Sequence, residues 1–194
     1  MDFTKRQIEI IGAATELIGE KGVQNLTTKN LASKMSFSEP ALYRHFKGKT
    51  EILKSVLVFF KEFLGKKINE IFNLKITGIE KIEKMIEFQF NHFYNNPAIV
   101  MVIFSETSFQ YDTVLSKVVS EIISKKRENV VRIIESGQTD GSIRKDIPAE
   151  QIATIVMGSM RLTILEWRLS NFKFNLIERG EELIGTVRTM IRKK

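Results

Sequence analysis

The chain has 194 residues, 43% of them hydrophobic, no cysteine and a net charge of +7. Disulfides, thiol catalysis and cysteine-built zinc sites are excluded, and the composition suits a globular core in one or two small domains. The positive charge favours a polyanionic partner, although a solvated basic surface explains such a balance about as often.

The first residues, MDFTKRQIEIIG, lack an apolar stretch of signal-peptide length. The longest unbroken apolar run, residues 98–104, is far short of the roughly 20 residues a membrane helix needs. A cytoplasmic protein is the expectation. Thr4 and Gln7 have capping-box spacing and open a first helix. Ile8, Ile11, Thr15 and Ile18 form one stripe, with Ile10, Ala14 and Leu17 beside it, and Gly22 is placed to end the helix. Val23 and Leu26 bridge to two short helices. Thr27 caps the first, whose Leu31, Ala32 and Met35 share a face. Ser36 and Phe37 interrupt. Ser38 then caps the second, which tolerates Pro40 in its first turn, where N–H groups have no helical partner.

At about 100° per residue, Leu42 and Phe46 share the packing face of this second helix. Arg44 falls almost opposite, with Pro40, Ala41 and Lys47 within roughly 60° of it. Tyr43 and His45 project to the flanks. Such a basic ridge over an apolar underside fits a major groove, with the flanks reaching phosphates on either wall.

From Lys49 to about residue 73 a long helix is expected, carrying Ile52, Val56, Phe59, Phe60, Phe63, Ile68 and Ile71. Thr77 and Glu80 form a second capping box before a helix bearing Ile79, Ile82, Ile86, Phe90 and Phe93. Asn96 then caps a short helix with Pro97 at its first position. Asp112 starts another long helix through Val118, Ile122, Val130 and Ile134, closed by Gly137. Residues 138–148 read as a loop, with Asp140-Gly141 as its turn signal. The helix over about 150–170 has two apolar stripes: Ile152, Ile155, Val156 and Leu162, and Ala153, Met157, Met160, Ile164 and Trp167. A helix apolar on two sides is buried on two sides, against an internal helix or a partner subunit. A last helix carries Leu183, Ile184, Val187, Met190 and Ile191. The expected fold class is all-α, with no internal repeat and no low-complexity tract.

Thr27-Thr28, Leu31-Ala32, the run from Ala41 to Phe46, and Lys49 before Glu51-Ile52-Leu53 together resemble the helix-turn-helix of the TetR/AcrR family of transcriptional regulators. The detailed match covers roughly residues 8–55. One departure stands out: Ser36-Phe37 occupies a turn that in the family carries Gly-Val, and Ser lacks glycine's freedom at positive φ. The resemblance implies a DNA-binding domain over 1–48, a three-helix bundle, and a larger helical ligand-binding and dimerisation domain over 49–194. It implies phosphate contacts from Thr28, Tyr43, His45 and Lys49. It places Lys29, Glu39, Pro40, Ala41 and Arg44 toward bases, with Ser38 at the start of the same interface. Arg44 would prefer guanine, and Glu39 would accept from cytosine. A homodimer through the last two helices and a small apolar or amphipathic ligand follow from the same resemblance, as does the word repressor. The long helix from Lys49 would act as the lever between ligand and DNA.

No cofactor is expected. His45 belongs to the DNA motif, and His92 has no second histidine four residues on for a metal pair. His92 stands between Phe90 and Phe93 on the helix that lines the family's ligand cavity. Glu106, Tyr111, Arg161 and Trp167 could add polar groups there, although any one of them is more often a satisfied or exposed side chain. Two rival readings remain open. One is a TetR-like nucleoid-associated or partner-recruiting DNA-binding factor. The other is an all-α enzyme or lipid carrier with a vestigial motif, against which Tyr43, Arg44 and Lys49 argue.

Overall fold

Capping residues set several of the helix boundaries in the computed structural model, which describes residues 3–193. The Thr4 hydroxyl accepts from the Gln7 N–H, and Gln7 accepts in return from the Thr4 N–H. α1 (Lys5–Lys21) follows and ends at Gly22, φ 79°. A 3₁₀ turn, Val23–Asn25, leads to α2 (Thr28–Lys34) and α3 (Glu39–Tyr43). Then come α4 (Lys49–Phe72), α5 (Gly78–Asn95), α6 (Pro97–Ile103), α7 (Glu106–Phe109), α8 (Thr113–Asp140), α9 (Ala149–Leu169) and α10 (Leu176–Ile191). Among the described residues the only β-type pairing is one isolated antiparallel bridge, Ile143 with Arg192. The fold is all-α, and no described helix is long and apolar enough to cross a membrane.

Packing divides the chain into two units. The first takes the chain up to Phe63 together with Asn96–Ile122, and the second takes Leu64–Asn95 and the chain from Ile123 on. In the first unit α1 buries Ile10, Ile11, Ala14, Leu17 and Ile18, and lies against α6 and α2. Ile8, at the open end of the expected stripe, is exposed. The first half of α4 buries Ile52, Leu53, Val56, Leu57 and Phe60, but Phe63 is 42% exposed. In the second unit α10 packs mainly on α5 and secondarily on α9. The Arg188 guanidinium closes over Glu83, donating at 2.5 and 2.6 Å.

One expected boundary moves and one unexpected helix appears. Asp112 caps α8 as expected, accepting from the N–H groups of Val114 (2.9 Å) and Leu115 (3.1 Å). The helix does not stop at Gly137, however. It runs to Asp140, and Gly141 at φ 84° ends it, so Gln138, Thr139 and Asp140 are helical and the loop begins at 141. Gly137 serves a close approach instead: a Cβ there would lie 2.5 Å from Ile143 Cδ1 and 3.1 Å from the Gly78 Cα. The side chains around it fix both ends. Asp140 accepts from the Gly78 N–H at 2.7 Å, and the Gln138 amide donates to the Arg144 and Ile147 carbonyls. The second change is α7, a single turn that the periodicity did not show.

The first apolar stripe of α9 divides, and the second, apart from half-buried Met157, turns inward. Ile152, Val156, Ala153, Met160, Ile164 and Trp167 are buried within the subunit, whereas Ile155 is 43% and Leu162 57% exposed. Leu169 and Met190 are exposed as well.

Candidate DNA interface

The turn between α2 and α3 is closed by paired backbone bonds. The Phe37 N–H donates to the Ala32 carbonyl at 2.8 Å and the Ser36 N–H to Ser33 at 3.1 Å. That is the Schellman pattern, whose hinge residue sits in the left-handed region and is usually glycine. Here it is Ser36 at φ 57°. The turn geometry is therefore kept at a cost of about 1–2 kcal/mol for a residue with a Cβ. The Arg6 guanidinium, 4.9 Å over the Phe37 ring, contributes in the opposite direction.

α3 is only five residues long, and Arg44 stands at its C-cap. Its underside is as the wheel places it: Leu42 and Phe46 are 0% and 3% exposed. Ser38 occupies the N-cap position, but its hydroxyl makes no capping bond. The charge in the first turn comes from Glu39, whose Oε2 accepts from the Thr28 hydroxyl at 2.8 Å. This bond ties the first residue of α2 to the first residue of α3. At the far end, the Gln7 amide donates to the His45 carbonyl at 3.3 Å, so α1 holds the exit of α3.

What remains outside is basic. Lys29, Ser38, Pro40, Tyr43, Arg44 and Lys47 are exposed, and Thr28, Glu39, Ala41, His45 and Lys49 are half-buried. Lys29, Arg44, Lys47 and Lys49 form no ion pair with any described residue. Lys34, by contrast, turns back to Glu16 and Glu20 at 3.3 and 2.8 Å. Lys47, Lys49 and Lys54 line one open groove at the start of α4. The Thr50 hydroxyl there donates to Asp112 at 3.3 Å.

The residues expected around a ligand fall in both units: Phe90, His92, Phe93, Arg161 and Trp167 in the second, Glu106 and Tyr111 in the first. Phe90 and Phe93 are core residues, each 1% exposed. Phe90 is seated against the bare backbone of Gly180, where a Cβ would lie 2.5 Å from the ring. Trp167 is buried, donates from Nε1 to the Phe174 carbonyl at 2.9 Å, and meets Phe172 edge-on at 4.6 Å. His92 is half-buried, stacked on Phe88 at 5.7 Å, and burial draws its pKa below the usual histidine value. Glu106 is half-buried, Arg161 is exposed, and Tyr111 is almost fully exposed.

Two polar residues of the second unit escaped the sequence reading. Gln89 lies in the buried stripe of α5, one helical turn before Phe93, and the Lys126 ammonium of α8 donates to its Oε1 at 2.8 Å. Among the described residues no cluster of side chains could hold a metal ion.

The family model for bacterial regulatory proteins of the tetR family matches residues 10–56. That for the C-terminal region of YsiA-like proteins matches residues 60–188, two thirds of the chain. The chain belongs to the TetR family. It is a sequence-specific DNA-binding transcriptional regulator, and regulators of this family are ligand-responsive DNA-binding repressors. Among TetR-family relatives, the nucleoid occlusion factor SlmA of Vibrio vulnificus (strain YJ016) is 22% identical over 192 residues, 97% of each chain. The fatty acid metabolism regulator protein of Bacillus subtilis (strain 168) is 23% identical, also over 97% of each. The solved structure of FadR from Bacillus subtilis in complex with stearoyl-CoA has 22% identity and a TM-score of 0.80, covering 94% of this chain and 97% of that one.

Proposed function

We propose that this TetR-family protein is a cytoplasmic, non-enzymatic homodimeric repressor that leaves a palindromic operator when a long-chain acyl ligand binds. The observation that carries the DNA half is the short α3, clamped on its buried side by Leu42 and Phe46 and presenting unpaired Arg44 and Lys47 outward. Residues 1–48 act as the DNA-binding domain and 49–194 as the regulatory domain. Thr28, Tyr43, His45 and Lys49 meet phosphates. Lys29, Ser38, Glu39, Pro40, Ala41 and Arg44 face the groove floor, where Arg44 reads a guanine. Thr28 occupies one oxygen of Glu39 and leaves the other to accept from a base.

The uncovered α9 residues Ile155, Leu162 and Leu169, with Met190 of α10, supply the dimer face. Phe90, His92, Phe93, Arg161 and Trp167, all of the second unit, remain the ligand-facing candidates. The acyl class of ligand is supported by the fatty acid regulators among the relatives. Selection of bound sequences from random DNA, repeated with acyl compounds, is the test. A palindromic site lost on ligand addition is the expected result. Many dispersed sites with no ligand response would favour a nucleoid-associated factor, the reading that the SlmA relatives support.

A further inference from the structure

The DNA-facing surface carries one acid among its bases. Lys29 stands on α2, Arg44 and Lys47 follow α3, Lys49 opens α4, and Glu39 is the first residue of α3. All of them belong to the first unit. A carboxylate there is repelled by every phosphate and counts against general DNA affinity. None of the neighbouring cations neutralises it. Among the described residues its one hydrogen-bond partner is the Thr28 hydroxyl, which donates to Oε2 at 2.8 Å. The carboxylate does not turn to the free N–H groups of its own helix, the usual reason for an acid at a helix start.

The motif closes without this bond. The Ser36 and Phe37 N–H groups already join α2 to α3 through the turn, and Leu31, Ala32, Leu42 and Phe46 are buried beneath. What the bond fixes is the carboxylate. A free glutamate samples several rotamers, and losing that freedom on binding costs free energy. Threonine is β-branched and stiff at χ1, so it is a firm anchor. With Oε2 held, Oε1 is left as a pure acceptor. In a major groove such an acceptor matches the N4 amino group of cytosine and is repelled by the O6 and N7 acceptors of guanine. A hydroxyl has a single proton to give, and here it goes to Glu39, which leaves a phosphate contact at Thr28 to its main-chain N–H.

We propose that Thr28 is a positioning residue for sequence readout: its hydroxyl aims the Glu39 carboxylate at one cytosine per half-site, so that base choice at that pair depends on a residue that touches no base. This deepens the DNA-binding reading above and is independent of the ligand.

The test uses the full chain and the operator selected from random DNA by the wild type. Affinity is measured for that operator and for every single base-pair change in one half-site, at one salt concentration. Glu39→Gln, which adds a donor, marks the pair that Glu39 reads: the preference there, about 10-fold for a charge-assisted hydrogen bond, should be lost or move to another base. Thr28→Val, close in shape and without the hydroxyl, should lose most of the preference at that same pair and leave the other pairs unchanged. Thr28→Ser, which keeps the donor, should keep the preference. In the Glu39→Gln background Thr28→Val should have no further effect at that pair, because residues acting through one contact are not additive. Thr28→Ala takes the place of Thr28→Val if circular dichroism shows that valine disturbs the fold. Even weakening by Thr28→Val across all sequences would make the hydroxyl a phosphate contact and overturn the proposal. An unchanged base preference in Thr28→Val with a lower melting temperature, the mark of a purely structural bond, overturns it too. If Glu39→Gln shifts no base preference, the readout through Glu39 is overturned while the DNA-binding regulator stands. A wild type that selects no sequence at all overturns the DNA reading itself, and this proposal with it.

Discussion

Ser36 shows how a single side chain can be tolerated against local preference. Its φ of 57° is a conformation in which glycine is unstrained and serine is not. The Schellman bonds of Ser36 and Phe37 and the packing of Arg6 on Phe37 hold it there. Ser36→Gly should therefore raise stability by about 1 kcal/mol, read as a higher denaturant midpoint with an unchanged slope. Specific DNA affinity should be unchanged, because the turn is already formed. A lower midpoint would mean that the serine hydroxyl contributes more than its backbone costs. Two neighbours separate positioning from readout. Lys49→Ala should weaken binding to all sequences alike and flatten the salt dependence by roughly one unit of slope. Arg44→Ala should instead cost about 1–3 kcal/mol at one base pair per half-site. Even weakening across all operator variants would remove Arg44 from the base edge.

Individual helices were legible where caps and periodicity agree. Thr4–Gln7, Thr27, Thr77–Glu80 and Asp112 all place helix starts correctly, because a side-chain oxygen meeting a free N–H is a local event. Helix ends were less legible. Gly137 has the look of a terminator, yet it is a contact glycine set against Gly78, a residue 59 positions earlier. No local pattern reports such a neighbour. Lys126 and Gln89 were missed for the related reason that each is unremarkable alone and becomes informative only when the two stripes are paired. The stripes of α9 were visible, but that the first would divide, with Ile152 and Val156 inward and Ile155 and Leu162 outward, was not. The structure answers that and changes the outcome of a mutation. Ile164 is 1% exposed within its own subunit, so Ile164→Glu should unfold it, by several kcal/mol of carboxylate burial. Leu162, more than half exposed, is the residue that tests assembly. Leu162→Glu should leave the helix content intact by circular dichroism and yield monomers in sedimentation. A dimeric Leu162→Glu protein would move the interface off α9.

At the scale of the whole molecule, ligand and operator bind one polypeptide, and their coupling is constrained whatever carries it. α4 is 24 residues long and unbroken, about 36 Å of helix at 1.5 Å per residue, and it starts at the Lys49 that the DNA reading uses. Its first residues belong to the unit that holds the motif and its last to the other. A dimer on one face of DNA needs its two recognition helices about 34–36 Å apart, so a small change in that separation is enough to lose one half-site. A ligand can cause the change only to the extent that it binds the released state more tightly. Linkage then makes the effect mutual: operator DNA must weaken ligand binding by the same factor by which ligand weakens operator binding. For a factor of about 100 the coupling is about 2.7 kcal/mol, within the usual allosteric range. Calorimetry of palmitoyl-CoA with and without saturating operator should show that loss of affinity. Equal ligand affinity in the two titrations would leave an acyl site with no hold on the operator, and α4 would then be a strut and not a lever.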